Sequence, residues 1–275
     1  MTWPTIARKE FDDAVRSRML WGIVAVIAGM TSLSAGFSLL IPEMEGDAVT
    51  AVGGASQFAG LLVPIMALIA AYLAVAGERE SGSLKVLLGL PPSRGEVLVG
   101  KFLGRSGVVA IGLVLGFAVS GVVTAALYGG LPLVAFVGTL ALTVLLGVAF
   151  VGIAVGISAT TATRARAMTA AIAAYLGLTL LWDLVPTGVH VVVTGSMPGG
   201  AVPGWFLLLE GLSPTGAYNA LTQSLLLGEQ IAVAARIGEP APAYLHPAVF
   251  LAILLVWTVV PLLVGYSRFR SADLS

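Results

Sequence analysis

Long apolar stretches alternate with short charged segments along the chain, and this alternation predicts the main structural elements. A helix needs about 20 apolar residues to cross a bilayer. Six stretches meet that length, at about 19–41, 58–77, 106–129, 132–158, 166–184 and 247–267. Pro64 predicts a kink in the second stretch, because proline removes a backbone donor. We therefore expect an all-α polytopic membrane protein with six transmembrane helices.

The segment between the fifth and sixth stretches, 185–246, does not read as a span. Its apolar pieces, 205–209 and 218–227, are short, and Glu210 and Pro214 interrupt the sequence between them. We interpret the segment as outer-face helices that lie on the membrane or dip into it. A re-entrant pair is one alternative. Two additional spans are another, although they would leave very short connections.

The N-terminal segment 4–18 has the pattern of an amphipathic helix. Ile6, Phe11 and Val15 can share one apolar face, while acidic and basic residues occupy most of the remaining surface. A short helix of this kind, placed just before a span, typically lies in the plane of the membrane interface. We expect an interfacial helix here.

The densest charged island inside the apolar region runs from Gly77 to Arg105. Ser81 or Ser83 can start a short helix, in which leucines at i, i+3 and i+4 share one face. Pro91 and Pro92 would end it. Ser93 and Glu96 then have the spacing of a capping box, which predicts a new helix running into the third span. An ordinary short loop between two spans is the alternative explanation.

This island resembles the signature of the type-2 ABC exporter permeases, and most closely the branch that includes the permease of the nitrous-oxide-reductase maturation system. The matching residues are Glu78-Arg79-Glu80-Ser81-Gly82-Ser83-Leu84, Leu87-Leu88, Pro91 or Pro92, Ser93-Arg94, Val97 and Gly100-Lys101. The resemblance implies a homodimer, or a pair with a similar chain, bound to two cytoplasmic ATP-binding subunits. ATP and Mg would then be held by those subunits. It also implies that the N-terminal helix lies on the cytoplasmic surface and helps to receive the ATPase.

The same resemblance implies roles for individual residues. The residues expected to couple the chain to the ATPase are Leu84, Lys85, Leu87, Leu88, Pro92, Ser93 and Arg94. The three leucines would form the face that contacts the ATPase, and Lys85, Arg94 and Arg79 would form its polar rim. The residues expected to stabilise the loop are Glu78, Arg79, Glu80, Glu96 and Lys101.

The placement of basic residues orients the spans. All of the 14 lysines and arginines except Arg236 fall before the first span, in the loops after the second and fourth spans, or after the last span. The positive-inside rule then places both termini in the cytoplasm of a multi-pass cell-membrane protein. The 42–57 stretch carries three acidic residues and no base, which suits an outer loop.

Composition and missing motifs limit the possible functions. The chain is 58% hydrophobic and 10% charged, against about 25% charged in soluble domains, so residues 1–275 read as one membrane domain. It has no cysteine and no phosphate-binding glycine loop, so the sequence gives no sign of a thiol nucleophile or an ATP site. We therefore expect a permease subunit rather than an enzyme, without a cofactor or metal of its own and without a nucleic-acid partner.

Two further patterns bear on mechanism. Asp183, at the end of the fifth stretch, is the one acidic candidate for an intramembrane relay, which argues against ion-coupled secondary transport. Glycine pairs at i and i+4, such as Gly112/Gly116 and Gly152/Gly156, predict close helix packing within the subunit. The alternative to transport is a membrane module that relays ATPase work to an accessory protein at the outer face through 185–246.

Overall fold

The computed structural model describes residues 3–16, 18–40, 46–83, 93–238 and 240–271. Within these ranges all regular structure is helical and no strand occurs, so the fold class is all-α as expected. The α-helices are α1 (Trp3–Arg16), α2 (Arg18–Leu40), α3 (Ala48–Ala71), α4 (Ala76–Glu80), α5 (Arg94–Tyr128), α6 (Leu133–Thr160), α7 (Arg164–Tyr175), α8 (Leu184–Thr194), α9 (Gly204–Glu210), α10 (Pro214–Leu227), α11 (Glu229–Ile237) and α12 (Pro247–Ser271). A π-helix (Leu176–Leu180) and a 3₁₀-helix (Ala243–Leu245) complete the set.

Five helical stretches among the described residues are long and apolar enough to cross a membrane, and a bent pair makes a sixth candidate. The second begins at Ala48, not at about 58, so residues 48–57 are helical rather than loop. Asp47 caps this helix, since its carboxylate accepts a hydrogen bond from the Thr50 amide at 2.8 Å. The third begins at Arg94, not at about 106, because the charged segment that follows the capping box continues the same helix.

The fifth candidate span is broken rather than continuous over 166–184. Its two parts, Arg164–Leu180 and Leu184–Thr194, meet at an angle of 52°. The π-helix ends at the bend, and Pro186 lies in the first turn of α8, where it cannot continue the hydrogen bonding of α7. The indole of Trp182 donates to the Leu209 carbonyl at 2.9 Å, which anchors the break to α9.

The bundle is built around α6, which packs against α3, α5 and α12, while α2 lies along α5. Glycines allow α2 to approach α5 closely and α12 to approach α6 closely. A Cβ at Gly116 would lie 2.8 Å from the Ile27 side chain of α2, and one at Gly156 would collide with the Pro261 carbonyl of α12. These glycine pairs therefore pack helices within the subunit, as the sequence predicted.

The segment 185–246 folds partly into the bundle. Helix α9 packs on α8, and α10 packs on α3, α6 and α12. The buried Tyr218 hydroxyl donates to the Ser56 carbonyl at 3.1 Å and lies 3.0 Å from the Thr143 hydroxyl. At 7 and 14 residues, neither helix is long enough to cross a hydrocarbon core of about 30 Å. These two helices therefore do not form the two additional spans of the alternative interpretation.

Candidate functional site

Four charged side chains form a compact cluster at one end of the bundle, which we call the charge network: Glu10, Glu78, Lys101 and Arg105. The Lys101 ammonium lies 2.8 Å from a Glu10 oxygen and 2.7 Å from a Glu78 oxygen. Arg105 lies 2.7 Å from the second Glu10 oxygen and also donates to the Ala70 carbonyl at 3.1 Å. Three separate elements, α1, α4 and α5, are thereby joined through charge-assisted hydrogen bonds.

The charge network is buried, so breaking one of its ion pairs would cost more free energy than breaking an exposed pair. The Lys101 side chain is 1% exposed and that of Glu10 is 6% exposed. Burial alone would raise the pKa of the Glu10 carboxyl, but the neighbouring Lys101 and Arg105 charges more than reverse this, so its pKa lies below the ordinary value. Glu10 therefore stays ionised at neutral pH and holds both bases.

The position of α1 follows from small residues on α5. Ile6 and Glu10 are four residues apart and share the face that meets Gly100 and Gly104. A Cβ would lie 2.7 Å from the Ile6 side chain if added at Gly100, and 2.6 Å from that of Glu10 if added at Gly104. Larger residues at these two positions would lift α1 away and separate the charges.

A break in the second span lies next to the charge network. The helix is interrupted between Ala71 and Ala76, and the Ser158 hydroxyl accepts hydrogen bonds from the Val75 and Ala76 amides at 2.9 and 3.0 Å. Ser158 is fully buried on α6. It satisfies two backbone donors that the break would otherwise leave unpaired. Helix α4, which carries Glu78, is thus fixed to α6 at a defined break.

Two further contacts join helices at this end of the bundle. A Glu80 oxygen accepts a hydrogen bond from the Arg164 amide at the start of α7, where a carboxylate is favoured by the helix dipole. The Arg94 guanidinium donates to the Phe269 carbonyl at 2.5 Å and the Arg270 carbonyl at 3.1 Å. Arg94 therefore lies against the C-terminal end of α12. That placement differs from a free position on the rim of a docking face.

Several of the predicted coupling residues lie outside the described residues: Leu84, Lys85, Leu87, Leu88 and Pro92. The capping box is confirmed, since the Ser93 hydroxyl accepts from the Glu96 amide and the Glu96 carboxylate accepts from the Ser93 amide at 2.9 Å. Among the predicted loop-stabilising residues, Glu78 and Lys101 are brought together. Among the described residues, Glu96 caps the start of its own helix through Ser93.

Sequence reasoning missed Glu10, Arg105 and Ser158 as members of this site. Glu10 had a usable signal, since an acidic residue four positions after Ile6 falls on the apolar face of α1. Lys101, which the sequence did predict, stands out as a base among small and apolar residues. Ser158 had none, because a serine near the end of an apolar span has no distinguishing pattern.

The two histidines are not brought together into a metal site. His190 is buried between Trp205 and Phe206, with ring centroids 6.1 and 5.7 Å away. Its Nδ1 lies 3.1 Å from the Ser196 carbonyl. Within the described ranges, no three histidine, cysteine, aspartate or glutamate residues form a group that could hold a metal ion.

Comparison with known proteins identifies the family of this bundle. The sequence profile described as ABC-2 family transporter protein matches residues 4–274. The chain is 31% identical over 277 aligned residues to the probable ABC transporter permease protein NosY of Stutzerimonas stutzeri, with 96% of each chain covered. It is 29% identical over 226 residues to the protein of the same name from Pseudomonas aeruginosa, covering 80% of this chain and 81% of the relative. Both relatives are named as permeases rather than enzymes, and the chain belongs to the ABC-2 family of transporter permeases.

Proposed function

We propose that the chain is the membrane-spanning subunit of an ABC exporter, driven by separate cytoplasmic subunits that bind ATP and Mg. Membership of the ABC-2 family implies ATP-binding partners. The proposal adds where they act. They would bind at the end of the bundle that holds α1, α4 and the charge network, which we call the basic end.

Charge placement supports a cytoplasmic location for the basic end. Arg94, Lys101 and Arg105 lie within about the first three turns of α5. Arg94 donates to the Arg270 carbonyl, and Lys101 and Arg105 donate to Glu10. The Arg164 amide bonds to Glu80 at the same end. This distribution fits the positive-inside rule, with both termini in the cytoplasm and the chain in the cell membrane.

The observation that carries the proposal is the charge network. A force on α1, or on the 84–92 segment that follows α4 in the sequence, would reach α5 through Lys101 and Arg105, because buried charge pairs resist separation. Helix α5 has 35 residues and spans about 50 Å at 1.5 Å per residue. It can therefore carry a displacement from the basic end to the opposite end of the bundle as a rigid element.

We further propose that two copies of the chain form the working transporter. The broken fifth span exposes large apolar side chains along both of its parts: Ile172 is 52%, Leu181 51% and Leu184 65% exposed. A second copy is the occupant that the proposal assigns to this face, and a transport path would then run at the seam. Membrane lipid would cover the remaining apolar exterior.

The contacts of α10 also favour a second candidate function, a module that relays ATPase work to an outer-face accessory protein. Helix α10 is held to α3 and α6 through the buried Tyr218 hydroxyl. A movement of the spans would consequently move the 185–246 segment. The two functions differ in whether a solute crosses the membrane, which a flux assay in vesicles decides.

The substitution Leu87→Asp tests the docking proposal. It would place a carboxylate in an apolar contact, which is costly without a partner charge. We expect normal abundance in the membrane, weakened co-purification of the ATP-binding subunit, and loss of ATP-driven activity. Lys85→Ala serves as the control and should cost little, because exposed ion pairs contribute about 0–1 kcal/mol. Normal co-purification and activity of Leu87→Asp would contradict the docking proposal.

A further inference from the structure

A polar cavity lies at the opposite end of the bundle, between α9, α10 and α11. Its volume is about 160 Å³, enough for several waters at about 30 Å³ each or for one small solute. The apolar side chains of Leu245 and Phe250 form part of its wall. Its polar lining comes from four different elements: Asp183, Glu210, Asn219, Gln223, Ser224 and Arg236.

The charges in this cavity do not cancel. Arg236 binds both oxygens of Glu210, at 2.6 and 3.0 Å, so these two residues form a closed pair. Asp183 lines the same cavity. Within the residues that the structure describes, the Asp183 carboxylate accepts no hydrogen bond. Asp183 is thus the one charged residue of the lining that stands outside this pair.

Asp183 has no evident structural role that would explain its presence. It occupies the position before α8 where an aspartate often caps a helix, but its side chain makes no capping hydrogen bond there. It lies in the break of a span whose other residues are almost all apolar. An ionisable residue in such a segment is costly and marks a functional site.

The remaining acceptors suit a hydrogen-bonding cation better than a tightly held metal ion. Asn219, Gln223 and Ser224 line the same cavity as Asp183, and their side chains contain amide or hydroxyl oxygens that can accept hydrogen bonds. Among the described residues, no three carboxylate, histidine or thiolate side chains lie together in a way that could hold a metal ion. A primary ammonium has three N–H donors, which this set of oxygens can accept.

We propose that the cavity binds a small primary-ammonium group, with the Asp183 carboxylate as its counter-charge. The ammonium can belong to a free amine or to the headgroup of an ethanolamine lipid, since the cavity recognises the same chemistry in both. This binding is a property of the chain alone and does not depend on the proposed ATPase partner.

The purified chain in detergent tests this directly. Methylammonium should raise the unfolding temperature in a concentration-dependent way that gives an apparent Kd. Tetramethylammonium, which carries the same charge without N–H donors, should give no comparable shift. Equal shifts with the two cations, or no shift with either, would overturn the proposal.

Variants identify the site. Asp183→Asn should weaken methylammonium binding by about tenfold or more, the ratio expected for the loss of one charge-assisted hydrogen bond. Asp183→Glu should restore part of the affinity. Asp13→Asn removes an exposed carboxylate on α1, at the basic end, and should leave the affinity unchanged. Each variant is compared with its own unliganded baseline, so a change in stability does not hide the result. Unchanged affinity in Asp183→Asn would disprove the assignment.

Lipid discs distinguish the two sources of the ammonium. If an ethanolamine headgroup occupies the cavity, discs of phosphatidylethanolamine should weaken methylammonium binding relative to discs of phosphatidylcholine, whose headgroup lacks N–H donors. If a free amine is the ligand, the two lipids should give the same affinity. Either result supports the cavity as an ammonium site, provided that Asp183→Asn weakens methylammonium binding in both kinds of disc.

Discussion

Replacing the central lysine of the charge network should release α1 from the bundle. In Lys101→Met the side chain keeps most of its length but loses the ammonium that lies within 2.8 Å of both Glu10 and Glu78. Removing one partner of a buried ion pair typically costs about 3–5 kcal/mol. Glu10 keeps Arg105 as a partner, so we expect the lower end, about 3 kcal/mol.

A single introduced cysteine measures this loss. The chain has no native cysteine. Ile6 lies on the buried face of α1 and is 4% exposed, so a thiol from Ile6→Cys reacts with maleimide only when α1 opens. When opening is fast relative to labelling, the rate follows the open population. A loss of about 3 kcal/mol corresponds to labelling about 100-fold faster.

Two controls separate the charge network from general damage. Lys9→Met removes an exposed lysine of α1 and should leave the labelling rate nearly unchanged. Adding Glu78→Gln to Lys101→Met should recover part of the loss, because the Glu78 carboxylate that has lost its lysine partner is then uncharged. If Lys101→Met labels no faster than Lys9→Met, the charge network does not hold α1 and the proposed route of force is wrong.

Three other perturbations have defined outcomes. The pKa of Glu10 is lowered on folding, so its contribution to stability is complete above the ordinary glutamate value of 4.5 and is lost as pH falls through the lowered value; thermal unfolding at pH 3 to 7 should show this decline, and the decline should be smaller in Glu10→Gln, where the carboxyls of Asp47 and Glu96 still contribute. Gly156→Leu should sharply reduce membrane abundance, because its side chain would meet the Pro261 carbonyl, whereas Gly130→Leu, where a Cβ meets nothing within 4 Å, should be tolerated. Tyr218→Phe should lower stability by about 1–3 kcal/mol, since the buried hydroxyl serves two partners, and proteolysis of the 185–246 segment would report it.

The sequence predicted features that depend on local chemistry or on long apolar runs. The capping box at Ser93 and Glu96 needs only two residues at a fixed spacing, and it forms. The apolar stretches at 19–41 and 247–267 became α2 and α12 with small shifts of their ends. Glycine pairs indicated close packing, and the structure shows the partners of each pair.

Features that depend on distant contacts could not be predicted. The break after Ala71 is stabilised by Ser158, which lies more than 80 residues away in sequence. The charge network joins Glu10 to Lys101 across a separation of 91 residues. The bend of the fifth span depends on a backbone carbonyl of α9 that accepts from Trp182. In each case the partner is chosen by the fold and has no signature in the local pattern.

The central claim is that the ATP-binding subunit sits at the basic end, on the cytoplasmic side. Ser83 is exposed beside α4, and Gly200 is exposed in the 185–246 segment. A photoreactive maleimide attached to Ser83→Cys should cross-link to the ATP-binding subunit in assembled membranes, while the same reagent on Gly200→Cys should not. Cross-linking from Gly200→Cys alone would contradict the orientation of the chain and the proposed site of ATPase coupling together.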